Sequence, residues 1–193
     1  MQHRNTDLRI QRTRNAIKTA FQDMICEMEA NEITVAELTR RAQIHRKTFY
    51  LHYTSIEALF EDMLSELAEN YYAMWDQLEP PFSFLEVNRV FFEFCAKNTM
   101  YQERLMCDPS YRDFCNKLFT TTLQHNRDHY NPYAHCSERV QRIINKFLTT
   151  NSLEFYRDWV AAGKDLPLEE LIDITGTLLN DAISSFVEPE YYL

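Results

Sequence analysis

The chain has 193 residues, of which 45% are hydrophobic and 13% aromatic, enough to bury a core as one ordinary domain or two small ones and too much for a disordered tail. It holds only two glycines, Gly163 and Gly176, so no glycine-rich phosphate loop can be written and tight hairpins are disfavoured, which leaves an all-α chain. The formal net charge of −9 is unevenly spread: residues 1–53 carry nine Lys/Arg against six Asp/Glu (net +3), and residues 54–193 carry eleven against twenty-three (net −12). Such asymmetry is expected where one part of a chain meets a polyanion.

Helical spacing of apolar residues predicts the elements in order. Ile17, Ala20, Phe21, Met24, Ile25 and Met28 share one face of a helix from about Leu8 to Met28, with Arg9, Arg12, Arg14 and Lys18 on its first half. Thr34-Val35-Ala36-Glu37 reads as a capping box, opening a short helix through Val35, Leu38 and Ala42. A third short helix spans about Arg46 to Tyr53. Ser55 is a suitable N-cap for a long fourth helix carrying Ile56, Leu59, Phe60, Met63, Leu64, Leu67 and Tyr71, with the pattern reaching Trp75 and Leu78. Pro80-Pro81 closes it. Helical blocks follow at about 83–98, 101–107 and 110–130, the last ending at Asn131-Pro132. Ser137 is placed to cap a helix reaching about Ala162, with Gly163 as its stop, and Leu168 to Val187 is the last helix. The total is eight or nine helices, with no convincing strand, repeat or low-complexity stretch.

The five cysteines form no C-x-x-C pair, residues 1–20 contain no apolar h-region, and no run of 18 apolar residues exists. A cytoplasmic protein with reduced thiols and no membrane span is expected.

Residues 38–53 carry four basic residues, two histidines and no acid. Leu38, Ala42, Ile44, Phe49 and Tyr53 are positioned to pin two short helices across a tight turn. Arg46, Lys47, Thr48, Tyr50, Leu51 and His52 are left to face outward. A short helix that offers cations and hydroxyls beside a capped partner is the physical recipe of a helix-turn-helix, which sets its second helix in the major groove. A basic, aromatic-rich helix that is simply solvated reads the same way.

Residues 8–60 resemble the DNA-binding domain of TetR/AcrR-type transcriptional regulators. The matching residues are Ile33-Thr34-Val35-Ala36-Glu37-Leu38, Ala42-Gln43-Ile44, Arg46-Lys47-Thr48-Phe49-Tyr50-Leu51-His52-Tyr53 and Ser55-Ile56-Glu57-Ala58-Leu59. Phe155 to Val160, Gly163 and Leu168 to Leu171 resemble the last two helices, which in that family form a four-helix dimer interface. The middle, about 80–136, matches nothing specific.

The resemblance implies an N-terminal helix-turn-helix domain over residues 1–54 and a helical ligand-binding and dimerisation bundle over 55–193. It also implies that Tyr50, His52 and Thr34 meet phosphate, and that Arg46, Lys47 and Thr48 begin the recognition helix. Two positions depart from the family: Gln43 stands where glycine is common at the turn, and Ile56 where a lysine grips phosphate. That contact is then lost, or replaced by Ser55 and the bare helix N-terminus.

Weaker signals lie beyond residue 80. Phe91, Phe94, Tyr111, Phe114 and Phe119 are candidates to line an apolar effector pocket, although aromatic residues at helical spacing also make plain core. His125 and His129, one helical turn apart, with Cys136 nearby, suit a metal, or else form a polar helix end. The cysteines suit a response to oxidants or electrophiles; Cys115, three residues after Arg112, is one candidate, and inert burial is the alternative. Glu169-Glu170 suit a helix N-terminus. H-E-x-x-H, G-x-S-x-G and S-x-x-K are all missing, so no enzyme and no cofactor are expected.

The expectation is a homodimeric regulator that binds a palindromic operator in duplex DNA, a repressor released by a small effector. The alternatives are an activator or co-regulator whose C-terminal domain binds another protein, a metal-responsive regulator, and a helical enzyme or carrier without DNA contact.

Overall fold

The computed structural model describes residues 2–79 and 83–188, apart from the side chains of residues 2–7, 121, 123, 124, 126 and 129. The helices are α1 (Gln2–Glu27), α2 (Val35–Arg41), α3 (Arg46–Tyr50), α4 (Ile56–Trp75), α5 (Phe84–Ala96), α6 (Met100–Cys107), α7 (Arg112–His129), α8 (Glu138–Ala161) and α9 (Leu168–Ile183). Short 3-10 turns lie at Ala30–Glu32, Pro109–Tyr111 and Ser184–Phe186, and the described residues contain no strand. The fold is all-α, as the spacing of apolar residues predicts. The chain divides into two compact units, Met1–Leu67 with Met100–Asp113, and Ala68–Thr99 with Phe114–Leu193.

The first unit is built on the apolar face of α1. Ile17, Ala20, Phe21, Met24 and Ile25 are all buried there. Phe21 meets Phe60 of α4 edge to face at 5.4 Å, and Phe60 stacks on Tyr111 at 6.4 Å. The last carbonyls of a helix lack intrahelical donors. At the end of α1 they find them in the 100–113 segment: the Tyr111 hydroxyl donates to the Met28 carbonyl at 2.7 Å, and Arg104 donates to the carbonyls of Cys26 and Met28. Asp108 steadies Arg104 at 3.2 Å. A segment distant in sequence thereby closes α1.

The second unit centres on α5 against α9. Gly176 lets the two approach, since a Cβ there would lie 3.0 Å from Leu85 Cδ2 and 3.2 Å from Asn88 Nδ2. Asn88, buried, donates to the Ile172 carbonyl and to Thr175 Oγ1, both at 3.1 Å. Tyr71, Trp75, Phe84, Tyr130, Tyr133, Ile144 and Leu179 belong to its core.

Several helix ends match the sequence reading and several shift. Gly163 ends α8 with φ +75°: its N–H bonds the Val160 carbonyl at 3.0 Å, and the Lys164 N–H bonds the Trp159 carbonyl at 2.8 Å. That left-handed stop favours glycine. Glu169 and Glu170 do occupy the first turn of α9. Ser137 sits at the N-cap of α8 but makes no side-chain capping bond. α1 begins at Gln2 instead of Leu8, because its first turns are polar and carry no apolar stripe to read. α3 stops at Tyr50 and α4 at Trp75, each short of its apolar pattern, because Tyr53 and Leu78 pack from turns and not from helix.

Candidate nucleic-acid interface

The site lies wholly in the first unit. Thr34 caps α2, its Oγ1 accepting from the Glu37 N–H at 3.3 Å. Glu37 does not complete the expected capping box. Its carboxylate instead accepts from Arg40 (2.6 and 2.8 Å) and Arg41 (2.7 Å), whose hydrogen bonds hold it well below the usual carboxylate range, at about 2. Arg41 also pairs with Glu27 at 2.6 Å. Two of the cations counted in residues 38–53 are therefore neutralised locally.

The turn between α2 and α3 bends at Gln43, whose φ of +53° is left-handed. Asparagine or glycine tolerates that geometry better, so this is where the departure from glycine has a backbone cost. Past the turn, Phe49 is fully buried and touches Tyr50 at 5.3 Å and Tyr53 at 5.9 Å. Leu38, fully buried on α2, shares this core. Ala42 and Ile44 are only half-buried.

With Phe49 pinned inward, the helical period turns its neighbours out. Arg46, Lys47, Tyr50 and Leu51 are exposed, Leu51 by 75%, and Thr48 and His52 are half-buried. Arg46 lies over the Tyr50 ring at 5.7 Å and donates to its hydroxyl at 3.3 Å. Among the described residues, neither Arg46 nor Lys47 pairs with a carboxylate. Thr34 is exposed in the same unit, and Ser55 Oγ accepts from the Ala58 N–H at 3.2 Å, opening α4. Two unneutralised cations, hydroxyls and an exposed leucine are the groups that meet phosphates, base edges and thymine methyls.

What the sequence did not disclose is how this head is fastened. Asp62 of α4 receives Arg14 through both oxygens (3.0 and 2.9 Å), Lys18 at 2.8 Å and the Tyr53 hydroxyl at 2.8 Å. Lys18 also pairs with Glu66. Burial alone would raise the Asp62 carboxyl; the bonds from Lys18, Tyr53 and Arg14 outweigh it and hold it at about 2. Arg14 and Lys18 thus contribute to fastening more than to open positive charge.

The depressed carboxylate contributes stability that is fully present above its unfolded value, about 3.9, and lost as pH falls towards 2. Asp62→Asn should lower stability by about 1–2 kcal/mol at neutral pH, the half-buried position keeping the effect modest. The gap in melting temperature between variant and parent should shrink as pH drops from about 4 to 2. A gap that stays constant over that range would place the interaction elsewhere.

No family model matches the chain. Over 59 residues it is 41% identical to the HTH-type transcriptional regulator YxbF of Bacillus subtilis strain 168, a stretch covering 30% of this chain and 16% of that protein. A TetR transcriptional regulator from Streptococcus agalactiae 2603V superimposes with a TM-score of 0.69 at 22% identity, over 92% of this chain and 98% of that one. The chain has the TetR-type fold. NalD, the secondary repressor of the MexAB-OprM multidrug efflux pump in Pseudomonas aeruginosa, shares it with a TM-score of 0.59 at 15% identity, over 94% of this chain and 98% of NalD.

Within this TetR-type fold the remaining candidates separate. Tyr111 belongs to the first unit, where burial pushes its hydroxyl up to about 12 and the Met28 carbonyl accepts its hydrogen bond. Phe91, Phe94, Phe114 and Phe119 belong to the second, each half-buried; Phe91 lies 6.3 Å from Phe119, and Phe94 packs on Tyr71 at 5.2 Å. A crevice in the first unit, lined by Phe21, Phe60, Met63, Tyr101 and Leu105 among others, has about 10 Å³ free, room for one water.

His125 stacks on Tyr72 at 3.9 Å with Asp76 at 3.6 Å, and the His129 side chain lies outside the described residues. Among the described residues no three His, Cys, Asp or Glu gather as a metal set. Burial pushes the Cys115 thiol up to about 11, and the cation beside it is Arg157 at 3.9 Å rather than Arg112. Among the described residues no helix is long and apolar enough to cross a membrane.

Proposed function

We propose that the protein is a homodimeric, sequence-specific DNA-binding regulator of transcription that uses α3 to read the major groove. The observation that carries this reading is the outward face of α3, where Arg46, Lys47, Tyr50 and Leu51 stand exposed beside a buried Phe49. Lys47 and Arg46 meet base edges or phosphate; Thr34, Thr48, Tyr50, His52 and Ser55 donate to phosphate; and Leu51 supplies an apolar contact. Residues 1–54 form the reading head, and residues 55–193 the dimerisation and effector part.

Dimerisation is assigned to α8 and α9. Ile143 and Phe147 on α8, and Ile174 and Leu178 on α9, are exposed apolar pairs one helical turn apart, and exposed apolar stripes of this kind call for a partner. A dimer puts two reading heads on a palindromic site. A small apolar effector held near Phe91, Phe94, Phe114 and Phe119 would release DNA if it binds the non-reading arrangement better, which makes the protein a repressor. The description of NalD as a repressor favours that sign; an activator would use the same DNA face.

The experiment is duplex binding as a function of salt, using a site selected from random DNA. Neutralising several phosphates predicts a fall in affinity of about 1000-fold between about 50 and 200 mM salt. A flat response would remove the cationic face from the account.

A further inference from the structure

Outside the DNA-reading face, one cluster of titratable and nucleophilic side chains is built by the fold. His135 and Cys136 lie in the loop before α8, and Glu188 follows the 3-10 turn after α9. Glu188 Oε1 is 3.0 Å from His135 Nδ1, and Cys136 Sγ is 3.5 Å from His135 Nε2. Among the described residues the sulfur also meets the Phe186 carbonyl, farther away at 4.0 Å.

Chemistry sets the roles. A carboxylate can only accept, so the Nδ1–H of His135 donates to Glu188, and the neutral ring keeps its lone pair on Nε2, facing the thiol. This is the order of nucleophile, base and orienting acid found in thiol catalysis. Cys136 stands just before Ser137, the N-cap of the 24-residue α8.

The loop is held in place. Gln141 Nε2 donates to the carbonyls of Ala134 (3.0 Å) and Cys136 (2.8 Å), and the Glu188 N–H donates to the Pro132 carbonyl at 2.9 Å. His135 is 48% exposed on its side chain and Cys136 is half-buried, so a small molecule can reach the sulfur. Cys95 and Cys115, the other cysteines of this unit, are buried.

We propose that Cys136 is a modification site that adds covalently to α,β-unsaturated carbonyl compounds, with His135 as its base and Glu188 as a positioning residue. The thiol proton passes to His135 Nε2 as the sulfur lone pair attacks the β-carbon. A C–S bond forms and the C=C π bond breaks to an enolate. His135 then returns the proton to the α-carbon, leaving a neutral thioether and no change of oxidation state. Addition is favoured over disulfide chemistry because it needs no second thiol. Cys136 also packs against the aromatic core that includes Tyr130 and Tyr133, which suits an apolar electrophile.

The test uses the full chain, methyl vinyl ketone below one equivalent, and peptide mass mapping over time. Cys136 should be alkylated at least about 10-fold faster than Cys26 or Cys107 in the folded protein, a threshold set below the roughly 100-fold at which a positioned base begins to act. That preference should vanish in denaturant. His135→Gln and Glu188→Gln should each slow Cys136 alone, without altering the helical circular dichroism. Equal rates at the three cysteines in the folded protein would overturn the proposal. So would an unchanged Cys136 rate in whichever of the two variants folds. The outcome is independent of the DNA-binding reading.

Discussion

A Lys47→Ala, Tyr50→Ala double variant should bind a selected duplex site about 100-fold more weakly than the parent, equivalent to roughly 2.7 kcal/mol. Both side chains are exposed on α3, and Lys47 has no carboxylate partner among the described residues, so removing them costs the fold little. Melting temperature and oligomeric state should therefore stay within error while affinity falls. The lysine contribution should also reduce the salt slope by about one. Normal binding by the double variant would mean that another surface reads DNA. A control at Arg40, whose guanidinium is already held by Glu37 at 2.6 and 2.8 Å, should show a much smaller loss.

Phe49→Ala should be the most destabilising single change in the reading head. The side chain is fully buried, fills the angle between α2 and α3, and contacts both Tyr50 and Tyr53. Truncating a buried phenylalanine costs about 3–5 kcal/mol through lost burial and the cavity left behind. That is a large share of the roughly 5–15 kcal/mol that holds a domain together. Thermal melting should shift down by about 15 °C or more for a unit of this size, and DNA binding should be lost with it. Phe49→Leu should recover most of the stability because it refills much of the volume. A loss below about 1 kcal/mol for the alanine variant would show that Phe49 is not the anchor of α3.

The two variants separate recognition from scaffolding. Lys47 and Tyr50 are predicted to act on affinity with the fold intact, whereas Phe49 acts on the fold and only through it on affinity. Their neighbours sharpen the contrast: Tyr53 is adjacent to the face in sequence, yet its hydroxyl is committed to Asp62 at 2.8 Å.

Local chemistry was legible from the chain alone. The helical period of Ile17, Phe21, Met24 and Ile25, the threonine cap at Thr34, the inward Phe49 and the left-handed glycine at Gly163 each follow from a few consecutive residues. The cause is also local: side-chain spacing, one capping hydroxyl, one φ angle. Those features determine an all-α chain with a short basic helix facing outward.

Which cations remain available was decided only in three dimensions. Counting charge gave residues 1–53 an excess of three, but Asp62 and Glu66 engage Arg14 and Lys18 from more than 40 residues away, and Glu37 folds back onto Arg40 and Arg41. The same holds for Arg104 closing the end of α1 and for Glu188 meeting His135. Electrostatic partners act over a few ångströms in space regardless of separation along the chain. Periodicity therefore tells which way a side chain faces, and only the packed fold tells what it meets there.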